Sequence, residues 1–507
     1  MKQTAEKDLY VVVVLILGLC LRLWNINQSF WWDELWSTLP YAKAAHLWET
    51  LSSLGYYFNN HILYSLLCRF SIKIFGESEI AARLPSVLLG ISSIYVIYYA
   101  GIQFFDRATA RIAALFLAIS PMHIDHSTEA RGYAALAFFS LLSSIFFLLA
   151  LKKNKRSLWV AFSASVFLAF YSHACMIMIA LVQCLLVIIL VLLKPLRNRN
   201  FLAHNALISY GVAKFISAVC VFTVYLPLLS TFIKNIQKIP PSQTTILPFF
   251  PILASTMLPG FSSIPYGAIY SALIIWALIE LFHRERMVCL YMTLSLLVPP
   301  LLFFALHLSF AFERYFIPLL PVALLLLSSG IVRFVKTLSH HTMAQAAMTI
   351  VLLSAFVAWS LPSLKTVLLM PRQNYRDAVR YVQTEVASCH GRAKAFSLGH
   401  AGNHFQYYAN IPIHQPKTMQ EFHELLLQEP IVWCLITAWL PDIRRPFEDI
   451  KLFTEDPEQM KIYTYLVDNF KLVKIFQGKM PVYVYRYVQT KETEIISSTA
   501  PHAQQAF

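Results

Sequence analysis

The chain has 507 residues, 57% of them hydrophobic and 13% charged, with a mean hydropathy of +0.57. Soluble domains carry about 25% charged residues, so this composition excludes an ordinary soluble protein and describes a polytopic membrane protein with length left over for a soluble domain. The formal net charge of +14 comes with no RNA- or DNA-binding motif, so nucleic acid is excluded as a partner and the basic residues are read as cytoplasmic loop charge.

A membrane-spanning helix needs roughly 20 apolar residues. Residues 1–8 are polar, and the apolar run from Leu9 ends at Trp24-Asn25 without a small-residue cleavage site, which reads as a retained signal anchor. A polar and aromatic loop follows over 25–79, with amphipathic stretches at Tyr41 to Leu54 and Ile62 to Phe75. Further spans are expected near 80–103, 109–122 and 132–151. The apolar stretch Ser157 to Leu193 would be roughly 55 Å long as one helix, too long for a single crossing, and divides at Tyr171-Ser172-His173. Spans seven to eleven are expected near 206–232, 266–282, 287–306, 315–332 and 344–362.

The short loops 104–111, 152–157, 194–200, 283–286 and 333–341 hold most of the short-loop Lys and Arg. The positive-inside rule puts them, and the N-terminus, in the cytoplasm. With eleven spans, the C-terminal segment is outside, together with loops 25–79, 123–131, 171–174, 233–265 and 307–314. Four of these outer loops carry Asp33-Glu34, His61, Glu129 to Arg131, His173 and Glu313-Arg314. The residues able to do chemistry are thus sorted onto one face.

After Pro371 the pattern changes to alternating helices and strands: a helix from Tyr375 to Val386, strands near 393–398, 431–438, 472–477 and 482–487, and helices near 405–408, 418–428 and 458–468. This predicts a small α/β domain over 371–487, its last two strands paired through Gly478-Lys479 and followed by a disordered tail at 488–507. Cys389 and Cys434 are the one cysteine pair in this outer domain, where a disulfide could persist, although Cys434 in a buried strand reads as a core residue.

Phe30-Trp31-Trp32-Asp33-Glu34 is the stretch around which the chain is organised. Carboxylates beside a bilayer are costly to desolvate, and partial burial tunes a carboxylate for general-base work. The segment Ser120 to Tyr133 is a second polar cluster, with Glu129 and Arg131 at the entry to the fourth span, where a helix N-terminus favours anions. His123, Asp125 and His126 are metal-ligand types, but without a fixed i, i+4 spacing they read as a hydrophilic hairpin tip. Arg314, at the outer start of span ten, either snorkels or contacts a phosphate.

Taken in order, Asp33-Glu34, Asn59-Asn60-His61-Ile62-Leu63-Tyr64, Phe75-Gly76-Glu77-Ser78-Glu79, Ala82-Arg83-Leu84-Pro85-Ser86, Ser120-Pro121, Glu129-Ala130-Arg131-Gly132-Tyr133 and Glu313-Arg314-Tyr315 resemble the bacterial branch of the protein O-mannosyltransferase-like family, glycosyltransferase family 39. That family has the GT-C fold and includes aminoarabinose and galacturonic acid transferases of lipopolysaccharide. The resemblance is strongest over about 20–175 and near 307–330. It implies about eleven transmembrane helices over 1–370 and an inverting transferase of the bacterial cytoplasmic membrane acting on its outer side. The donor would be a polyprenyl-phosphate sugar and the acceptor a glycolipid, a protein or a polysaccharide. Asp33 matches the catalytic carboxylate and Glu34 its companion. Arg83, Glu129, Arg131 and Tyr133 match positions near the donor phosphate, and Arg131, Arg83 or Arg314 would stabilise the leaving phosphate; His173, a polar residue near the surface or facing a cavity, and Tyr315 are further candidate site residues. His61 stands where many relatives have His-Pro-Pro; here the run is His-Ile-Leu. No cofactor is required, and a divalent ion remains compatible. The rival classes are a transporter, for which internal repeats and broken midplane helices are missing, and a non-catalytic scaffold of polysaccharide assembly.

Overall fold

A computed structural model describes residues 8–53, 59–192, 204–229, 231, 233, 246–261, 263–305, 313–398, 401–409, 413–437 and 457–488. The basic loop 194–200, residues 234–245 of the Pro-rich loop, residues 307–312 and the tail beyond Val488 lie outside the described residues. The chain divides into two compact units: 1–26 with 37–368, and 27–36 with 369–507.

The first unit is helical. Every expected span falls on a described helix. Among the described residues, seven helices are long and apolar enough to cross a membrane, and Leu9–Leu23 and Met176–Leu192 are shorter apolar helices. Arg107–Ile119 (13 residues) and Arg156–Ser172 (17 residues) hold the other two positions. The first of these is short because its ends are fixed by sequence. The Asp106 carboxylate accepts from the Thr109 N–H at 2.9 Å, and Ser120-Pro121 ends the helix and starts the next, Pro121–His126. The segment Glu313–Leu338 is the hub, with 94% of its apolar window buried in the protein against 11% for Thr342–Leu369. The apolar surface of Thr342–Leu369 therefore faces lipid, where apolar side chains need no protein partner.

Arg22, in the last turn of the first helix, is fully buried. Its Nη1 donates to the carbonyls of Gly18 (2.8 Å) and Ala118 (3.2 Å), its Nε donates to Ser127 Oγ (2.9 Å), and its Nη2 meets His123 Nδ1 at 2.6 Å. The Ala118 carbonyl lies in the final turn of its helix, where the macrodipole favours a cation, and Gly18 lies one turn before Arg22 in the first helix. Gly90 makes room for this clamp: a Cβ there would lie 2.4 Å from Ser127 Cβ and 3.1 Å from Arg22 Nε.

The second unit is a sheet with helices on both faces. Strands β1 (Ala393–Ser397), β2 (Ile431–Thr437), β3 (Lys471–Phe476) and β4 (Val482–Val488) have the order β1-β2-β4-β3, with β1 parallel to β2 and the other pairs antiparallel. Alternation along β2 sends Val432, Cys434 and Ile436 into one core, with Phe422 and Leu466, and Trp433 and Leu435 into the other, with Val379 and Phe405. Both Cys389 and Cys434 are free thiols, and Cys434 is a core residue of β2. The β3–β4 pairing is the expected one. Its turn holds the start of the unit, because Lys479 N–H donates to Pro371 O (2.9 Å) and Met480 N–H to Arg372 O (2.8 Å).

The stretch 27–36 belongs with this second unit. Ser29 Oγ donates to the Gln373 carbonyl (2.6 Å), the Phe30 N–H to the Tyr408 hydroxyl (2.6 Å), and Arg376 Nη2 to the Asn27 carbonyl (2.6 Å). Sequence reading had joined all of 25–79 to the membrane domain.

Replacing Gly90 with Ala should destabilise the protein by about 1–3 kcal/mol through overpacking. Gly211→Ala, where a Cβ would meet nothing within 4 Å, should be neutral or stabilise by up to about 1 kcal/mol. Thermal unfolding of both variants in one detergent checks the contrast; equal shifts would refute the close approach at Gly90.

Candidate active site

The membrane unit gathers most of the sequence-selected residues around Tyr133, the first residue of the helix Tyr133–Lys153. The Tyr133 ring lies 5.1 Å from His61, 5.2 Å from His126 and 5.3 Å from His173, centroid to centroid. The guanidinium carbons of Arg131 and Arg314 lie 5.9 and 5.7 Å from its centre. The His173 ring meets His61 edge-on at 4.8 Å and lies tilted 5.5 Å from Tyr315, centroid to centroid. Loops far apart in the chain thus meet at one aromatic ring.

Arg131 is fully buried. It donates to the Ser37 hydroxyl, to the Asn59 side-chain oxygen and, at 3.0 Å, to the Asn59 carbonyl. Its Nη2 also lies 3.3 Å from His61 Nε2. The tautomer of His61 follows from its other nitrogen: the Gly132 N–H points at Nδ1 at 2.8 Å, so Nδ1 accepts and a neutral ring carries its proton on Nε2. His173 is held the same way, its Nδ1 accepting from the Cys175 N–H at 3.1 Å. Arg131 and His61 therefore present N–H groups side by side. N–H groups are hydrogen-bond donors, a chemistry suited to an anion rather than to a cation.

Electrostatics keep both rings neutral. Burial first, then the Arg131 charge, His173 and Arg314, holds His61 well below the ordinary imidazole range. Burial, with Arg131 and Arg314, pushes His173 down to about 3.

The Ser127–Gly132 turn that carries Glu129 and Arg131 is fixed along its length. Ser127 Oγ accepts from Arg22, Ser86 Oγ donates to the Glu129 carbonyl (2.6 Å), and Thr38 Oγ1 donates to the Ala130 carbonyl (2.6 Å). Glu129 and Arg131 precede the helix, whose N-cap is Gly132, and so are not in its first turn. Glu129 Oε1 pairs with His126 Nδ1 at 2.6 Å. His126 and His123 thus take separate partners, Glu129 and Arg22. Among the described residues no three His, Cys, Asp or Glu group to hold a metal. Arg83 donates to the Ile26 carbonyl at 2.8 Å, beyond the end of the first helix.

Asp33 and Glu34 lie in the second unit, at the start of a helical turn that runs on as the π-helix Glu34–Thr38. Both are buried. The Glu34 and Leu35 N–H groups bond the Trp31 carbonyl at 3.1 and 3.2 Å, and Glu34 Oε2 accepts the Trp31 N–H at 3.2 Å. Trp31 is thus the N-cap and Glu34 the residue that reaches back to it, half of a capping box. The Trp32 N–H is taken by Gln373 Oε1 at 2.7 Å.

Sequence reasoning missed Ser37 and Arg22, which carry no motif. It quoted Asn59 only as a neighbour of His61 and weighed His126 only as a metal ligand.

Residues 60–226 match the family model described as dolichyl-phosphate-mannose-protein mannosyltransferase, which bears out the family resemblance over about a third of the chain. No curated protein sequence matches the chain. The fold is that of ArnT from Cupriavidus metallidurans, solved with undecaprenyl phosphate: TM-score 0.55 and 14% identity, covering 95% of this chain and 98% of that one. Archaeoglobus fulgidus AglB, an oligosaccharyltransferase solved with an inhibitory peptide and a dolichol-phosphate, matches with TM-score 0.51 and 11% identity over 90% of this chain and 72% of its own. The Archaeoglobus fulgidus oligosaccharyltransferase with Zn and sulfate matches with TM-score 0.51 and 13% identity over 89% and 70%.

The depressed histidines give stability a sign with pH. An imidazole neutral when folded and free to protonate when unfolded makes the unfolded chain bind more protons, so stability is full above about pH 6.5 and falls as pH drops toward the folded values. For His173 that loss continues to about pH 3. Melting temperature should therefore fall between pH 6.5 and 4.5, and less steeply in His173→Asn; parallel curves would remove His173 as the source.

Proposed function

We propose that the protein is an inverting glycosyltransferase. It moves a sugar from a polyprenyl-phosphate donor to a hydroxyl on the outer face of a bacterial cytoplasmic membrane, with a glycolipid as the favoured acceptor. The observation that carries this reading is the convergence of Arg131, Arg314 and two neutral, Nε2-protonated histidines on one buried aromatic ring, a set of donors suited to a phosphate. The family match over 60–226 and the fold shared with ArnT and AglB support it.

The chemistry follows from these groups. The acceptor oxygen attacks the anomeric carbon while the bond from that carbon to the phosphate oxygen breaks on the opposite face, so configuration inverts. The acceptor proton passes to the Asp33 carboxylate, and the lipid phosphate leaves with the bonding pair. Arg131 and Arg314 stabilise the charge that gathers on it, as fixed donors aimed at developing charge do. Asp33 is followed four residues later by Ser37, whose hydroxyl accepts from Arg131. Glu34, with an oxygen on the Trp31 N–H, holds the turn that carries Asp33. Arg83 is assigned to holding the chain at Ile26. The scheme uses protein groups alone, and a divalent ion remains compatible with it.

Turnover with a panel of polyprenyl-phosphate sugars tests the reading. Asp33→Asn should lose about 10²–10⁴-fold in rate with donor binding retained. Glu34→Gln keeps an acceptor oxygen and should lose much less. Near wild-type turnover in a folded Asp33→Asn protein would remove Asp33 as the base, and absence of turnover of the wild-type protein with every donor of the panel would favour the scaffold or transporter reading. Arg131→Ala should weaken lipid-phosphate binding, with Arg131→Lys restoring it only in part, because an ammonium cannot reproduce the guanidinium fork. Orientation is checked by a reporter fused after Phe507, expected to read extracytoplasmic; a cytoplasmic signal would overturn the outer-face assignment.

A further inference from the structure

We infer that the C-terminal α/β unit serves as a positioning domain for the catalytic carboxylate, and that Gln373 and Tyr408 are its positioning residues. This rests on the reading of Asp33 as general base.

The first turn of any helix leaves backbone N–H groups without intrahelical partners. In the turn that carries Asp33, these donors include the N–H groups of Trp31 and Trp32, preceded by that of Phe30. Glu34 takes the first from within the turn. The other two are taken by side chains more than 340 residues away in sequence: Gln373 Oε1 accepts from Trp32 at 2.7 Å, and the Tyr408 hydroxyl accepts from Phe30 at 2.6 Å. Gln373 is 1% exposed and its own backbone is held, since its carbonyl accepts from Ser29 Oγ at 2.6 Å. The two residues before it, Pro371 and Arg372, accept from the β3–β4 turn. A continuous set of hydrogen bonds thus runs from the sheet to the residue next to Asp33.

The sequence of the turn cannot supply this alone. Phe30, Trp31 and Trp32 have no side-chain oxygen with which to cap their own helix, where Ser, Thr, Asp or Asn would. The acceptors come from the second unit. The unit's attachment to 27–36 therefore has a chemical consequence: it fixes the direction of a carboxylate whose displacement by about 1 Å costs on the order of 100-fold in rate.

The test uses full-length protein. Gln373→Met keeps the side-chain length and removes the acceptor; Tyr408→Phe removes only a hydroxyl. Each should lower kcat by about 10- to 100-fold, with KM for the lipid donor and binding of polyprenyl phosphate unchanged. Gln373→Glu, which restores an acceptor oxygen, should recover most of the rate. In the double variant Asp33→Asn with Gln373→Met, the loss should equal that of Asp33→Asn alone, because the glutamine acts through the aspartate. A role confined to holding the fold would instead lower the melting temperature while leaving kcat of the folded fraction intact, and multiplicative losses in the double variant would also overturn the proposal. Amide exchange over residues 30–36 reads the capping without the reaction: faster exchange in Gln373→Met is expected, and unchanged exchange refutes the cap. If Asp33→Asn itself turns over normally, the base assignment fails, while the exchange result still decides whether Gln373 holds the turn.

Discussion

A guanidinium taken out of water needs fixed acceptors around it, and two such groups set the layout of the membrane unit. Burial of a charge is tolerated only where hydrogen bonds replace hydration. For Arg22 the replacements are one carbonyl of its own helix, one in the final turn of another, a serine and an imidazole nitrogen, all of them neutral. Arg131 takes its bonds from Ser37 and Asn59, which come from the long segment after the first helix. The Ser127–Gly132 turn joins these two arginines, tied to the first at Ser127 and carrying the second. Satisfying the two buried cations therefore fixes the turn that, in the proposed reading, carries the donor-phosphate arginine.

The turn that carries Asp33 obeys the same rule with backbone donors. Three consecutive large aromatics give it apolar bulk and no capping oxygen, so its N–H groups are met by Glu34, Gln373 and Tyr408. The cation–π contact of Arg372 with Trp31, at 4.5 Å, and the edge contact of Phe30 with Tyr407, at 5.5 Å, use the aromatic bulk for the same attachment. Interfacial anchoring, the bland reading of a Trp-rich run, accounts for the hydrophobicity of these residues. It does not account for Phe30 and Trp31 being almost fully buried in the protein.

Much of this was legible in the sequence because it is written in local patterns. Apolar runs located the helices, and the continuous apolar run along Ile431–Thr437 located a strand buried on both faces. The outer-loop sorting of His61, Arg131, His173 and Arg314 anticipated a cluster that the fold gathers at Tyr133. The rest depended on long-range pairings that leave no periodic trace. Nothing in Phe30 to Trp32 names Gln373, and nothing in a first helix with one arginine names Ser127 or His123. Proximity in sequence also misled: Asp33 and His61 share a loop, yet residues 27–36 belong with the second unit and His61 with the first.

The protonation pattern of the cluster bears on which catalytic strategy the proposed reaction uses. A sugar leaving group of high basicity would need a general acid, and a histidine poised near neutral pH would be the natural donor. Here the two histidines closest to the arginines are held neutral by burial and by those charges, His173 as low as about 3. Neither can supply a proton at physiological pH. Each offers a fixed N–H instead. A phosphate monoester, with its second pKa near about 6, leaves without needing protonation. What it needs is stabilisation of the charge it acquires, and buried cations with aligned N–H donors provide that without reorganising. A lipid-phosphate leaving group and a site of cations with neutral imidazoles are therefore two sides of one electrostatic requirement.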